Sequence, residues 1–214
     1  MYKFLCLCYN IKNNVFIFLK GNISEESVKR KILAFLVLIS FSVAMFSSCG
    51  GSRNVFEKFF GSLKKLDLIS TKEYLTEDSL DYTEALSSYA SVLSEEQRDT
   101  AVSLLELISF AYSSDNDDDG TIIIDLTYVD FSALVKDVNG LIAIGDKSAT
   151  YYINEMLQSG RISVQYVKTV SSLTVNVVSD GKEVKIPFGY SGENEDFTGY
   201  IGLDAFLRWY SGQR

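Results

Sequence analysis

Thr121–Phe131 reads "TIIIDLTYVDF". Ile122, Ile124, Leu126 and Tyr128 alternate with Ile123, Asp125 and Thr127 in a run rich in β-branched residues, which predicts a strand with one buried face. Everything upstream has a different period. Asn54 is placed to cap a helix in which Val55, Phe56, Phe59, Phe60, Leu63 and Leu66 recur at helical spacing. Ser70-Thr71-Lys72-Glu73 reads as a capping box opening a helix through Tyr74 and Leu75. Leu80–Leu93 is a further helical stretch. Ser94-Glu95-Glu96-Gln97 is a second capping box, followed by Ala101, Val102, Leu105, Ile108 and Phe110 on or near one face.

Downstream the pattern is mixed. "DFSALVKDV" (130–138) fits neither period cleanly, and "GLIAI" (140–144) reads as a short or edge strand. Ser148 caps a helix across Tyr151, Tyr152, Ile153 and Met156, closed by Gly160. "RISVQYVKTV" (161–170), "LTVNVV" (173–178) and "VKIPF" (184–188) read as strands, the last two joined by a hairpin at Ser179-Asp180-Gly181. "LDAFLRWY" (203–210) closes the chain as a helix. Helices first, then a curved antiparallel sheet with one inserted helix, define an α+β class.

Composition narrows the chemistry. The 214 residues suffice for one domain and a targeting segment. From residue 49 onward there are 14 Lys and Arg against 26 Asp and Glu, an acidic body that repels phosphate backbones and argues against nucleic acid as a partner. There is no histidine, which removes Ser-His and Cys-His nucleophile pairs and most zinc sites. Three cysteines, Cys6, Cys8 and Cys49, make no disulfide framework once the first two are cleaved away.

The stretch "KRKILAFLVLISFSVAMFSSCGG" (29–51) orders three cations, fifteen nearly unbroken apolar residues, two serines and a cysteine. The apolar run has signal-peptide length and falls short of the ~20 residues of a comfortable bilayer span. This order resembles the lipobox of bacterial lipoproteins, with Phe46 where that family usually has Leu. The resemblance implies cleavage before Cys49, a diacylglycerol on its thiol and a place in the cell envelope, periplasmic or surface-exposed. The alternative is an uncleaved single-span anchor, since the run reaches seventeen residues with Ser47 and Ser48 included. Residues 1–27 then read as an extension from a start placed too early, residues 1–48 as leader, 49–53 as a short tether and 54–214 as a single domain. "NVFEKFFGSLKKLDLISTKEYLTEDSL" (54–80) is similar in pattern to the opening of small bacterial lipoproteins of the NTF2-like cone fold; another α+β roll fits residues 121–210 equally.

Candidate sites are few. Asp115, Asp117, Asp119 and Gly120 match the first half of an EF-hand Ca²⁺ loop, but Leu126 stands where the bidentate Glu belongs, so a solvated acidic turn is the plainer reading. "SGENEDFTGY" (191–200) reads as a surface loop. The resemblance to NTF2-like enzymes implies a cone mouth with an Asp base and a Tyr or Asp donor; Asp125, Tyr128, Asp130 and Tyr166 are the residues of the right type. Phe206, Trp209 and Tyr210 read as an aromatic end docked on the sheet. The expectation is a membrane-anchored lipoprotein presenting a domain that binds a protein or small molecule, without catalysis. The alternative is a cone-shaped ligand binder or enzyme.

Overall fold

A computed structural model describes residues 51–113, 120–180, 183–190 and 193–212. Helix α1 (Gly51–Lys64) forms because Phe56, Phe59, Phe60 and Leu63 fall on one face and are buried together. Asn54 lies inside this helix, not at its start. The helix ends in a Schellman motif: the Asp67 N–H donates to Ser62 O and the Leu66 N–H to Leu63 O, both at 3.0 Å. Leu66 takes the left-handed position usually given to glycine, with φ +52°, and its buried side chain offsets the roughly 1–2 kcal/mol of backbone strain.

Asp67 then serves as the N-cap of α2 (Leu68–Lys72), accepting the Ser70 N–H at 3.2 Å. The expected box at Ser70–Glu73 is therefore not a helix start. The helix opens three residues earlier, and Glu73 closes it. A 3₁₀ turn (Glu77–Ser79) leads into α3 (Leu80–Ser91), which buries Thr83, Leu86 and Ala90. Helix α4 (Glu95–Glu106) carries both halves of its expected capping box, with Ser94 Oγ accepting from Gln97 N at 3.2 Å and Gln97 Oε1 accepting from Ser94 N at 3.0 Å. It stops at Glu106, so Phe110 belongs instead to β1 (Ser109–Tyr112).

Strand β2 (Thr121–Val129) is the centre of a three-stranded antiparallel sheet, flanked by β1 and by β3 (Val167–Asn176). Tyr112 pairs with Ile124, Ile122 with Val175 and Val129 with Val167. Ile122, Ile124 and Leu126 are fully buried, as their alternation requires. The register shifts between Ile124 and Leu126, a bulge that opposes Asp125 to the Ser171–Ser172 segment.

Three helices separate β2 from β3: α5 (Phe131–Ile144), α6 (Ala149–Gln158) and α7 (Arg161–Gln165). "GLIAI" is thus the last turn of α5, not a strand, and Arg161–Gln165 is helical where a strand was expected. In both cases a short apolar run carried no period of its own and took the form of its neighbours. A hairpin does form there, between β4 (Val178–Asp180) and β5 (Glu183–Lys185), but with other bounds: Ser179 and Asp180, expected in the turn, are paired residues of β4, and Leu173–Asn176 continues β3. The acidic stretch after it is not a loop throughout: Glu195–Ile201 is α8, which buries Phe197, Thr198 and Ile201.

The fold is α+β, with a small antiparallel sheet and helices on either side of it in sequence. Its terminal helix α9 (Leu203–Ser211) buries Phe206 and Tyr210 and packs chiefly on α3 and α5, where docking on the sheet was expected; the Tyr210 hydroxyl donates to Thr150 on α6 at 2.9 Å. Trp209 is half-buried and donates from Nε1 to Asn139 on α5 at 3.1 Å. Among the described residues every buried polar side chain is neutral. One of them, Asn194, is 2% exposed and bonded at both ends of its amide. Its amide donates to Asn176 O and Pro187 O, each at 2.8 Å, and its oxygen accepts the Asn176 N–H at 2.7 Å. That one side chain ties the end of β3 to the segment after the hairpin and to the start of α8.

Candidate functional site

Where β2 runs into α5, Tyr128, Val129, Asp130 and Phe131 follow one another along one wall of an open groove of about 510 Å³. The facing wall comes from α8 and α9, through Gly199, Tyr200, Gly202, Ala205 and Phe206, and Tyr190 also lines it. Gly202 joins the two helices at φ +55°, and a Cβ there would meet Gly199 O at 3.4 Å and the Phe131 ring at 4.0 Å. The turn therefore favours glycine for its backbone, since both distances are ordinary van der Waals contacts and the left-handed φ is what an L side chain resists. Phe131 stacks on Phe206 with ring centres 4.4 Å apart, and both are buried beneath the groove. Tyr128 meets Tyr200 across it at 5.1 Å.

Asp130 is the groove's carboxylate, and its oxygens are committed. One accepts the Ala133 N–H at 3.0 Å as the N-cap of α5, and the other accepts from the Lys168 ammonium. The Lys168 hydrogen bond, then the Ala133 N–H, hold its carboxyl below the usual carboxylate range; the same pair raises Lys168. A general base for neutral-pH chemistry needs the opposite shift, upward, from burial in an apolar cavity. Tyr190 donates its hydroxyl to Asp204, and burial, reinforced by that bond, pushes it up to about 12. Tyr82 lies behind it, edge-on at 5.5 Å. The Tyr82 hydroxyl is buried and completes no well-aligned hydrogen bond, and burial followed by the nearby Asp204 charge keeps it protonated.

The four residues of cone-mouth type do not converge. Tyr128 and Asp130 line the groove, whereas Asp125 and Tyr166 do not. Asp125 lies on the opposite face of β2 from Ile124 and Leu126. There it accepts Ser113 Oγ–H at 2.6 Å and Ser172 N–H at 2.9 Å, and these bonds, Ser113 first, lower its pKa. It closes the bulge and holds Ser172 at φ +57°. Tyr166 is 2% exposed and donates to Asp137 at 2.7 Å; burial first, then that bond, raises its pKa.

Cys49 and the Asp115, Asp117 and Asp119 half-loop lie outside the described residues. Among those described, no group of His, Cys, Asp or Glu is placed to hold a metal ion, and no helix is long and apolar enough to cross a membrane. Sequence reasoning missed Tyr190, Asp204 and the Phe131–Phe206 stack. A faint signal existed for the tyrosines: Gly189-Tyr190 and Gly199-Tyr200 repeat a Gly-Tyr pair.

The groove offers aromatic faces for stacking and hydroxyls for hydrogen bonding, with its charge already neutralised by a lysine. Comparison with known proteins gives no matching family model, no similar curated sequence and no similar solved structure.

Proposed function

We propose that this chain is a lipid-anchored protein of a bacterial envelope whose domain binds a ligand in the Tyr128–Tyr190–Tyr200 groove. The observation that carries the binding role is the groove itself: three tyrosines and two stacked phenylalanines around an open volume of about 510 Å³, with Asp130 bound to Lys168. Such a lining suits a small molecule or peptide with a flat apolar face and a few polar edges. Its carboxylate is held ionised and paired, which favours binding over proton transfer. The anchor rests on the order of charge, apolar core, small residues and Cys49 in the sequence.

Both parts have direct tests. [³H]palmitate should label the wild type and remain in the membrane fraction, and Cys49→Ala should lose both. Equal labelling of the two would exclude Cys49 as the acceptor. For the groove, the dye 1-anilinonaphthalene-8-sulfonate is a suitable apolar probe. Ala205 is exposed on the wall, so Ala205→Trp should fill the groove, leave stability within about 0.5 kcal/mol and abolish dye enhancement. Unchanged dye binding would move the binding role elsewhere.

The second reading, an NTF2-like cone binding or transforming a small ligand, keeps the same groove as its mouth and draws on the helices-then-sheet order. An enzyme of that kind would require an isolated, partner-free carboxylate, for which Asp130 is poorly placed.

A further inference from the structure

Charge is divided sharply along the domain. Residues 51–72 hold five Lys and Arg against two Asp and Glu, a net of +3, while residues 73–214 hold nine against twenty-four, a net of −15. The cationic part is α1 and α2, which pack on each other at the start of the domain. Phe56, Phe59, Phe60 and Leu63 take the inward face of α1. Asn54, Lys58 and Gly61 take the opposite face, and Lys65 extends the same 4-3-4 spacing one residue beyond the helix; Lys58 and Lys65 are exposed. On α2, Ile69 is 84% exposed, the only isoleucine in these two helices, with Lys65 four residues before it in the sequence and Lys72 three after.

The acids of the segment are engaged in local bonds. Glu57 accepts from Tyr112 and Asp67 caps α2. Lys64 and Lys72 are half-buried, reaching Glu106 O and the Glu84 carboxylate.

We infer that the α1–α2 face carrying Lys58, Lys65 and Ile69 rests on the anionic phospholipid surface of the membrane that holds the protein. The inference depends on the proposed lipid on Cys49. Gly51, where α1 begins, is only two positions beyond Cys49, a reach of roughly 7 Å at full extension. A lipid there brings the start of α1 to headgroup level with no slack, and its fourteen residues extend about 21 Å further. Cations near an anionic leaflet are attracted within a Debye length, and an exposed isoleucine between lysines partitions into the interface while the ammonium groups stay at headgroup depth. The acidic remainder is repelled by the same surface. The face therefore orients the domain, with its negative body turned away from the bilayer.

The test uses the full chain purified from membranes with Cys6→Ser and Cys8→Ser, so that a thiol probe reports one position. Intact mass first establishes whether Cys49 is acylated. Ile69→Cys is then labelled with the environment-sensitive dye NBD, and the protein is placed in nanodiscs of phosphatidylcholine alone or with added phosphatidylglycerol. NBD at position 69 should brighten several-fold in the anionic discs. The gain should vanish in about 0.5 M salt and with Lys58→Glu plus Lys65→Glu. The same dye at Val92→Cys, on an exposed position of the acidic part, should not respond. An acylated protein whose position-69 signal is equal in both discs overturns this inference and leaves the anchor standing. An unacylated mass overturns the anchor, and this inference with it.

Discussion

The molecule uses aromatic residues in two opposite ways. Under α1, Phe56, Phe59 and Phe60 meet Phe110, Phe188 and Phe197 in a cluster of tilted and edge-to-face rings, with Phe56 against Phe110 at 4.9 Å and Phe59 against Phe188 at 5.1 Å. Phe56, Phe59, Phe188 and Phe197 are at most 1% exposed. Around the groove, Tyr128 and Tyr200 are half-buried and Tyr190 is 46% exposed. The rings are of similar size, yet one set is sealed and the other is not. The hydroxyl accounts for the difference: a ring with no polar atom can be sealed on every side, whereas a tyrosine keeps one end near water or a partner. Closure in one region supplies stability, and incompleteness in the other leaves room for a ligand.

That contrast can be broken first at the closed end. Phe56→Ala removes a ring that touches four others and should cost about 3–5 kcal/mol in urea unfolding, whereas Tyr200→Ala should cost less than half as much. Equal losses would erase the distinction. Asn194→Ala tests whether the polar hub matters as much as packing. It leaves the Asn176 N–H and two carbonyls without their partner, and about 2–3 kcal/mol is expected in the same measurement.

At the groove, Asp130→Ala should cost about 1–2 kcal/mol by losing the α5 cap, whereas Asp130→Asn keeps a capping oxygen and loses chiefly the Lys168 pairing. Asp130 is lowered on folding, so its contribution is fully present above the ordinary carboxylate value of about 4 and is lost as pH falls through its depressed folded value. Wild type and Asp130→Asn should therefore differ by a constant amount above about pH 5 and converge in acid. The smallest effect belongs to a surface with no bearing on either region: a Cβ at Gly61 meets nothing within 4 Å, so Gly61→Ala should stabilise by about 0.5–1 kcal/mol.

Much of this architecture is legible in the sequence wherever a period is long enough to stand alone. The Phe stripe of α1, the alternation of β2 and the Ser94–Gln97 box are local signals that tertiary structure had no reason to override. The misread parts were short. "GLIAI" extends a helix because Asp130, ten residues or more upstream, caps it, and Arg161–Gln165 follows Gly160 in the left-handed conformation as one more helical turn. The acidic stretch before Tyr200 became helical because Phe197 and Ile201 reach the core. The groove was hardest to see because its walls come from residues about seventy positions apart. Asp125 attracted attention as a carboxylate in a strand, yet strand alternation already turned it away from the Ile124 face, and the bulge that binds it leaves no mark in composition.

The claim that the open tyrosines form the ligand-binding element has one direct measurement. The chain can be produced with 3-fluorotyrosine, its ¹⁹F resonances assigned by single Tyr→Phe changes, and 1-anilinonaphthalene-8-sulfonate added. Shifts should concentrate on Tyr128, Tyr190 and Tyr200, with Tyr166 and Tyr210 silent. Stationary signals from the three groove tyrosines, or shifts of the same size at the two sealed ones, would contradict the account.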